Sequence, residues 1–231
     1  VIVFVLGSGW TPIERDRVLP QLVPLAEAGF AVATIDYRGI GEARFPDPEA
    51  DVKAAIRFLR ANANLYNVDP DAMGLLGNSA GGHLALMAGL SDDEAFVDDR
   101  WRDTSSSVQA IAAIYPVSYP GELGADNPYG NVSLHFGFNI ADPANAEALA
   151  QGSPATHVSA GDPPVYLIHG TADPVVPVEH SRRFHDELEA AGVEADLLVV
   201  EGLEHSIEDT MKTAQVRQGL IDFFDAHLHA Q

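Results

Sequence analysis

The chain has 231 residues, nearly half of them hydrophobic, no cysteine, and 34 acidic against 13 basic residues for a net charge of −21. That much apolar material can fill a substantial core in one domain spanning 1–231, and no apolar run approaches the roughly 20 residues that cross a bilayer, so no membrane partner is expected. The charge balance repels phosphate backbones and argues against nucleic acid, while the missing cysteines exclude a disulfide framework, a thiolate nucleophile and a cysteine zinc site.

VIVFV (1–5) reads as a buried strand. It begins without methionine or a basic leader, so earlier segments are expected to be missing, and the compartment stays open with a slight lean to the cytoplasm. A helical segment over 14–29 follows, interrupted by Pro20 and Pro24, then a strand at FAVATID (30–36). In DPEADVKAAIRFLRANA (47–63), Val52, Ile56 and Leu59 share one helical face while Lys53, Arg57 and Arg60 lie off it, which predicts an amphipathic helix with solvated cations. AMGLLG (72–77) is a third strand and feeds a helix from Ala80 to about Leu90.

Further strands are expected at 108–116, 164–170 and 195–202, a helix at 179–193, and a last helix from Ile207 to Leu228. Apolar strands separated by helices predict an α/β architecture, a mostly parallel sheet with helices on both faces. Between 117 and 162 the chain is rich in Gly, Pro, Asn and Ser, and reads as a lid-like excursion over the carboxyl edge of the sheet, with a short helix near 144–151. The acidic surplus fits an ordinary soluble protein or one adapted to high salt, where repulsion between carboxylates is screened.

Gly77-Asn78-Ser79-Ala80-Gly81 matches G-x-S-x-G between a strand and a helix, the setting in which a serine is held out on a strained turn. Glycine is needed at 77 and 81 because strand and helix approach too closely for larger side chains. A serine hydroxyl needs a base, and the base needs an orienting acid. His205, in EGLEHS, follows the last strand; Asp173, in HGTADPVVP, follows the strand before it, so all three groups share one sheet edge. Of the other histidines, His83 is expected to pack or cap locally, His169 to be a satisfied core residue, and His135 is a candidate to touch substrate. Asp162 sits at the wrong edge, and Glu204 lacks an independent strand end. One oxyanion donor should be the N–H of Ala80, and others should come from the loop LGSGW (6–10).

The segments DYRGIGEARFP, DVKAAIRFLRANA, GNSAGGHLA, SPATHVSAGDPPVYLIHGTADPVVP and VVEGLEHS occur in order over nearly the whole chain. With them the chain resembles the α/β-hydrolase carboxylesterases grouped with hormone-sensitive lipase and, more narrowly, feruloyl-esterase-like enzymes. The resemblance implies the α/β-hydrolase fold, here lacking the first strands and an N-terminal cap, and a triad of Ser79, Asp173 and His205. The family's His-Gly-Gly-Gly-aromatic loop stands here as Leu6-Gly7-Ser8-Gly9-Trp10, so by position the further oxyanion donors are the N–H groups of Ser8 and Gly9. The glycine-rich run before the histidine is altered to Gly202-Leu203-Glu204.

The expected function is a serine carboxylic ester hydrolase that forms an acyl-enzyme from short-chain or aryl esters, with acetylated or feruloylated plant polysaccharide as a family-derived candidate. Trp10, Tyr119 and Phe136 are candidates for an apolar substrate wall. No cofactor or metal is expected: the acidic stretch SDDEAFVDDRWRD lacks calcium-loop spacing. The partner is a small-molecule ester; the oligomeric state is open, with a homodimer as one option. A serine peptidase or amidase with the same triad, and an inactive binding protein on this scaffold, remain alternatives.

Overall fold

The computed structural model describes residues 1–12, 14–96, 99–124 and 131–229. Six strands, β1 (Ile2–Val5), β2 (Val32–Thr34), β3 (Gly74–Asn78), β4 (Ala110–Ile114), β5 (Val165–Gly170) and β6 (Ala195–Val200), form one parallel sheet in the order β2-β1-β3-β4-β5-β6. Side chains alternate between its faces. Val3, Val5, Leu75, Ile111, Val165 and Leu167 enter one core cluster, while Ile2, Phe4, Leu76, Ala112, Tyr166 and Ile168 enter the other. Burial on both faces explains why these strands read as continuous apolar runs.

The first face is covered by α2 (Asp47–Ala61), α4 (Ala80–Leu90) and α7 (Glu179–Ala190), which contribute Ile56, Leu84 and Phe184. The second is covered by α1 (Leu19–Glu27), α8 (Ile207–Lys212) and α9 (Ala214–Leu228), with Leu22, Met211 and Phe224. The short helices α3 (Ala63–Tyr66), α5 (Asn131–Phe136) and α6 (Ala146–Gln151) lie in connections. After β2 the chain returns to the other side of β1. This reversal opens a crevice at the carboxyl ends of β1 and β3, where ligands bind in open parallel sheets.

Three expectations need correction. The helix over 14–29 is a 3-10 turn at Arg15–Val18 followed by α1, which runs through Pro24; Pro20 stands in its first turn, where a missing N–H costs little. The last helix is two, because Thr213 is extended; Arg217 Nη1 donates to the carbonyls of Met211 at 2.8 Å and Lys212 at 2.6 Å and so caps the end of α8. On α2 two of the three cations placed off the apolar face are buried: Lys53 donates to the carbonyls of Ser91 and Asp92, and Arg57 bonds Asp93. The loop after α4 folds over them, and burial depresses the Lys53 amine to about 8. Val97 and Asp98 of that loop, and 125–130 of the 117–162 excursion, lie outside the described residues.

Asp51, on α2, fastens the connection after β2. Its Oδ2 accepts Arg38 N–H at 2.9 Å and Arg38 Nε–H at 2.8 Å, its Oδ1 accepts Arg38 Nη2 at 3.1 Å, and Arg100 bonds it as well. Burial alone would push its carboxyl up, but these charged donors outweigh burial and hold it below its ordinary value. A depressed folded-state value means that the contribution is present at neutral pH and lost as pH falls through that value. Asp51→Ala is expected to cost about 2–3 kcal/mol at pH 7. The difference from wild type should shrink below about pH 4, as urea unfolding at pH 7 and pH 3 will measure.

Candidate active site

The turn from β3 into α4 is set by backbone contact. A Cβ at Gly77 would lie 2.2 Å from Gly81 O, and one at Gly81 would lie 2.1 Å from Val5 O and 2.8 Å from Gly7 N. Only glycine lets strand, helix and the loop after β1 meet this closely. Between them Ser79 adopts φ 53° and ψ −126°, a strained conformation for a residue with a side chain. Its N–H is held by Ile114 O at 2.9 Å.

His205 lies in the loop after β6, and its Nε2 is 2.8 Å from Ser79 Oγ. Its Nδ1 is 2.6 Å from Asp173 Oδ2, in the loop after β5. Asp173 Oδ1 accepts the N–H groups of Val175 at 2.8 Å and Val176 at 2.9 Å, which fixes the carboxylate's rotamer. The carboxylate is fully buried; burial favours its neutral form, but hydrogen bonding from His169 and His205 prevails and holds it well below the usual carboxylate range. A hydroxyl, an imidazole and an ionised carboxylate thus form one hydrogen-bonded chain, with the His205 ring partly open to solvent and the acid sealed beneath it. Glu204 faces solvent.

A cavity of about 310 Å³ opens beside Ser79 and His205. Gly7, Ser8, Gly9 and Trp10 line one side, Ala80 lies next to the serine, and Val117, Leu123, Val132, Val175 and Ile207 supply apolar walls. Gly9 and Trp10 have positive φ, 62° and 58°, in the turn that bends this loop over the cavity. The Ser8 hydroxyl bonds Thr11 O within its own turn.

Two side chains that attracted no notice in the sequence hold these parts together. Asn78 Oδ1 accepts the N–H of Gly7 at 3.0 Å, and its Nδ2 donates to Tyr115 OH at 3.4 Å, tying the loop after β1 to the residue after β4. Tyr115 is buried with φ 38°, and its ring centre lies 4.2 Å from that of His205. Burial pushes its phenol well above the ordinary value, so it faces the imidazole as a neutral group. Tyr37 OH adds a bond to Leu6 O at 3.0 Å. The only signal for Asn78 was its place in G-x-S-x-G; for Tyr115 there was none.

The three residues expected to form an apolar substrate wall do not lie together. Trp10 lines the cavity, but Tyr119 and Phe136 do not. Tyr119 turns away onto α7, under the Arg183 guanidinium at 3.3 Å and edge-on to His180. Phe136 packs with Phe45 and Phe138 against Gly152. His135 does not reach substrate space either: it is buried with Nε2 at 3.1 Å from Glu49 Oε1, and its ring stacks on Trp10 at 4.7 Å.

Among the described residues, Glu49, His83 and His135 form a buried set of donors with ligand atoms within 4.8 Å of one another, as a metal site would need. Both ring nitrogens of His83 are already engaged: Nε2–H donates to Gly152 O at 2.9 Å, and Nδ1 accepts Trp10 Nε1–H at 3.3 Å. Burial depresses this imidazole to about 4, so it is neutral. The cluster anchors the indole that borders the cavity, and a cation would have to break those bonds to enter.

Sheet order, elbow and site together define an α/β-hydrolase. The chain belongs to the BD-FAE family, whose model matches residues 1–188. It is 33% identical over 186 residues to the probable carboxylic ester hydrolase LipM of Mycobacterium tuberculosis, covering 79% of this chain and 43% of that protein. It is 29% identical to the probable isoprenylcysteine alpha-carbonyl methylesterase ICMEL2 of Arabidopsis thaliana, covering 97% and 54%. The chain spans about half the length of the curated relatives it matches. Among solved structures, a truncated carbohydrate esterase from gut microbiota superposes with a TM-score of 0.83 at 29% identity, over 97% of this chain and 84% of that one. An acetyl ester-xyloside bifunctional hydrolase from Caldicellulosiruptor lactoaceticus gives 0.82 at 29% identity, over 97% and 82%.

Gly81→Ala forces α4 away from β1 and is expected to cost about 3 kcal/mol. Gly89→Ala, on the same helix, meets the side chains of Ile111 and Leu75 rather than backbone and should cost clearly less. Thermal unfolding of the two variants compares them directly.

Proposed function

We propose that the protein is a serine carboxylic ester hydrolase acting on short-chain or aryl esters through an acyl-enzyme. The observation that carries this is the chain Ser79 Oγ to His205 Nε2 at 2.8 Å and His205 Nδ1 to Asp173 Oδ2 at 2.6 Å, opening on a cavity. The names of the relatives, esterases and ester hydrolases, support the same chemistry.

In this reading Ser79 Oγ attacks the ester carbonyl while His205 Nε2 accepts its proton, and Asp173 holds the ring and stabilises the imidazolium. The carbonyl oxygen becomes an oxyanion facing the N–H groups of Ser8, Gly9 and Ala80. Ala80 opens α4, whose free N–H groups and dipole favour negative charge there. His205 then protonates the leaving alcohol, and activates a water that releases the acid from Ser79. Asn78 acts from behind, through its bond to Gly7, to keep the oxyanion loop in register with the nucleophile.

The apolar cavity of about 310 Å³ favours a small acyl or aryl group over a long chain. The neighbouring carbohydrate esterase and acetyl ester-xyloside hydrolase make acetylated carbohydrate a reasonable alcohol side to test first. Val117, Leu123, Asn131 and Val132 come from the 117–162 excursion, which supports its role as a partial roof.

The experiment is turnover of p-nitrophenyl esters of increasing chain length beside the p-nitroanilide, with fluorophosphonate labelling. Labelling lost in Ser79→Ala, ester turnover exceeding anilide turnover, and preference for acetyl to butyryl chains support the reading. Asp173→Asn should lower kcat by about 10⁴-fold. Unlabelled wild-type protein, or preference for long acyl chains, overturns it.

A further inference from the structure

We infer that His169 is a positioning residue for this site: locked at both ring nitrogens, it presents Nε2–H to the same Asp173 oxygen that holds His205. The inference rests on the ester-hydrolase reading only for its kinetic readout.

His169 is the second-to-last residue of β5 and is fully buried. Its Nε2 lies 2.9 Å from Val176 O and 3.4 Å from Asp173 Oδ2. A carbonyl can only accept, so Nε2 carries the hydrogen and donates it to Val176 O, with the Asp173 carboxylate oxygen close beside it at 3.4 Å. Nδ1 is bonded to Ser181 Oγ at 2.8 Å, on α7, and Ser181 is itself buried. The ring is therefore clamped between strand, helix and the loop that carries the acid. A core residue needed only for volume would be apolar, since a buried imidazole is costly unless both nitrogens are bonded.

Asp173 Oδ2 thus serves two imidazoles, His205 at 2.6 Å and His169 at 3.4 Å, while Oδ1 is taken by two main-chain N–H groups. The electron density that His169 draws from Oδ2 is withheld from His205 Nδ1–H. Removing His169 leaves a carboxylate that pulls harder on the His205 proton and is less firmly oriented, so His205 becomes more basic.

Other titratable groups nearby leave this balance to the two rings. His180, on α7, is buried and depressed to about 4, with Nδ1 accepting Tyr119 N–H at 3.4 Å. Tyr115, after β4, is neutral and touches both rings, at 6.3 Å from His169 and 4.2 Å from His205. Glu122 and Arg183, beyond His180, pair with each other at 2.7 Å. Glu204 points into solvent.

The test uses the full chain with His169→Phe, which removes the donor, and His169→Gln, whose amide N–H can replace it. Two quantities are read: the acid limb of kcat/KM for p-nitrophenyl acetate, and the titration midpoint of His205 followed by proton NMR. His169→Phe is expected to raise both midpoints by about 0.5–1 pH unit and to lower kcat about tenfold with KM little changed. His169→Gln should return the midpoints toward wild type. If the phenylalanine variant does not fold, His169→Asn, too short to reach Oδ2, takes its place. Folded variants whose His205 midpoint stays at the wild-type value, or a glutamine no closer to wild type than phenylalanine, overturn the role. Wild-type protein that turns over no ester, while the His205 midpoint of His169→Phe shifts as expected by NMR, sinks the ester reading alone and leaves the positioning role standing.

Discussion

The site depends on a close approach that leaves no room for a side chain. Where β3 turns into α4, the backbones of Gly77 and Gly81 face each other, and Gly81 also faces Val5 and Gly7. This contact fixes three things at once: the strained conformation of Ser79, the start of α4 beside it, and the distance of the loop after β1 from both. Loosening it would move the nucleophile, the helix N-terminus and the proposed oxyanion donors relative to one another, and a shift of about 1 Å is enough to cost such a site heavily. The hydrogen bond from Gly7 N–H to Asn78 Oδ1 secures the same junction from the side.

Electrostatics complete what packing begins. Asp173 is sealed from water yet ionised, because two backbone N–H groups and His205 bond it and His169 lies close. Tyr115 supplies an uncharged wall next to His205, so the carboxylate is the charge nearest to the imidazole on the buried side. A second buried polar group, Glu49 with His135 and His83, does no such work at the reacting atoms. It holds the Trp10 indole at the cavity's edge by stacking and one N–H bond.

Much of the fold could be read from the chain because both faces of the sheet are covered, so each inner strand is an uninterrupted apolar run. The three strand ends bearing Ser79, Asp173 and His205 followed from that, and the structure brings these side chains within hydrogen-bonding distance. What escaped notice depends on contacts between segments distant in sequence. Lys53 and Arg57 have helical spacing that suits a solvated face, and only the loop after α4, folding across them, makes that face interior. Tyr119 and Phe136 look like substrate contacts in a glycine-rich excursion, but their rings find Arg183 and Phe45 instead. Asn78 matters because it pairs with Ile114 across the sheet, which brings the neighbouring Tyr115 within its reach.

The strand leading to His205 is the last in the sheet, with β5 as its single neighbour, and its residues are only half-buried apart from the exposed Asp196. Ser79, by contrast, follows a strand flanked on both sides and sealed throughout. Outer strands open by local fluctuation at lower free energy than central ones. The imidazole is therefore mounted on a strand that opens at lower free energy than the strand that carries the hydroxyl. On warming, the two should separate while the core is still intact, so the temperature at which the site disconnects lies below that of global melting.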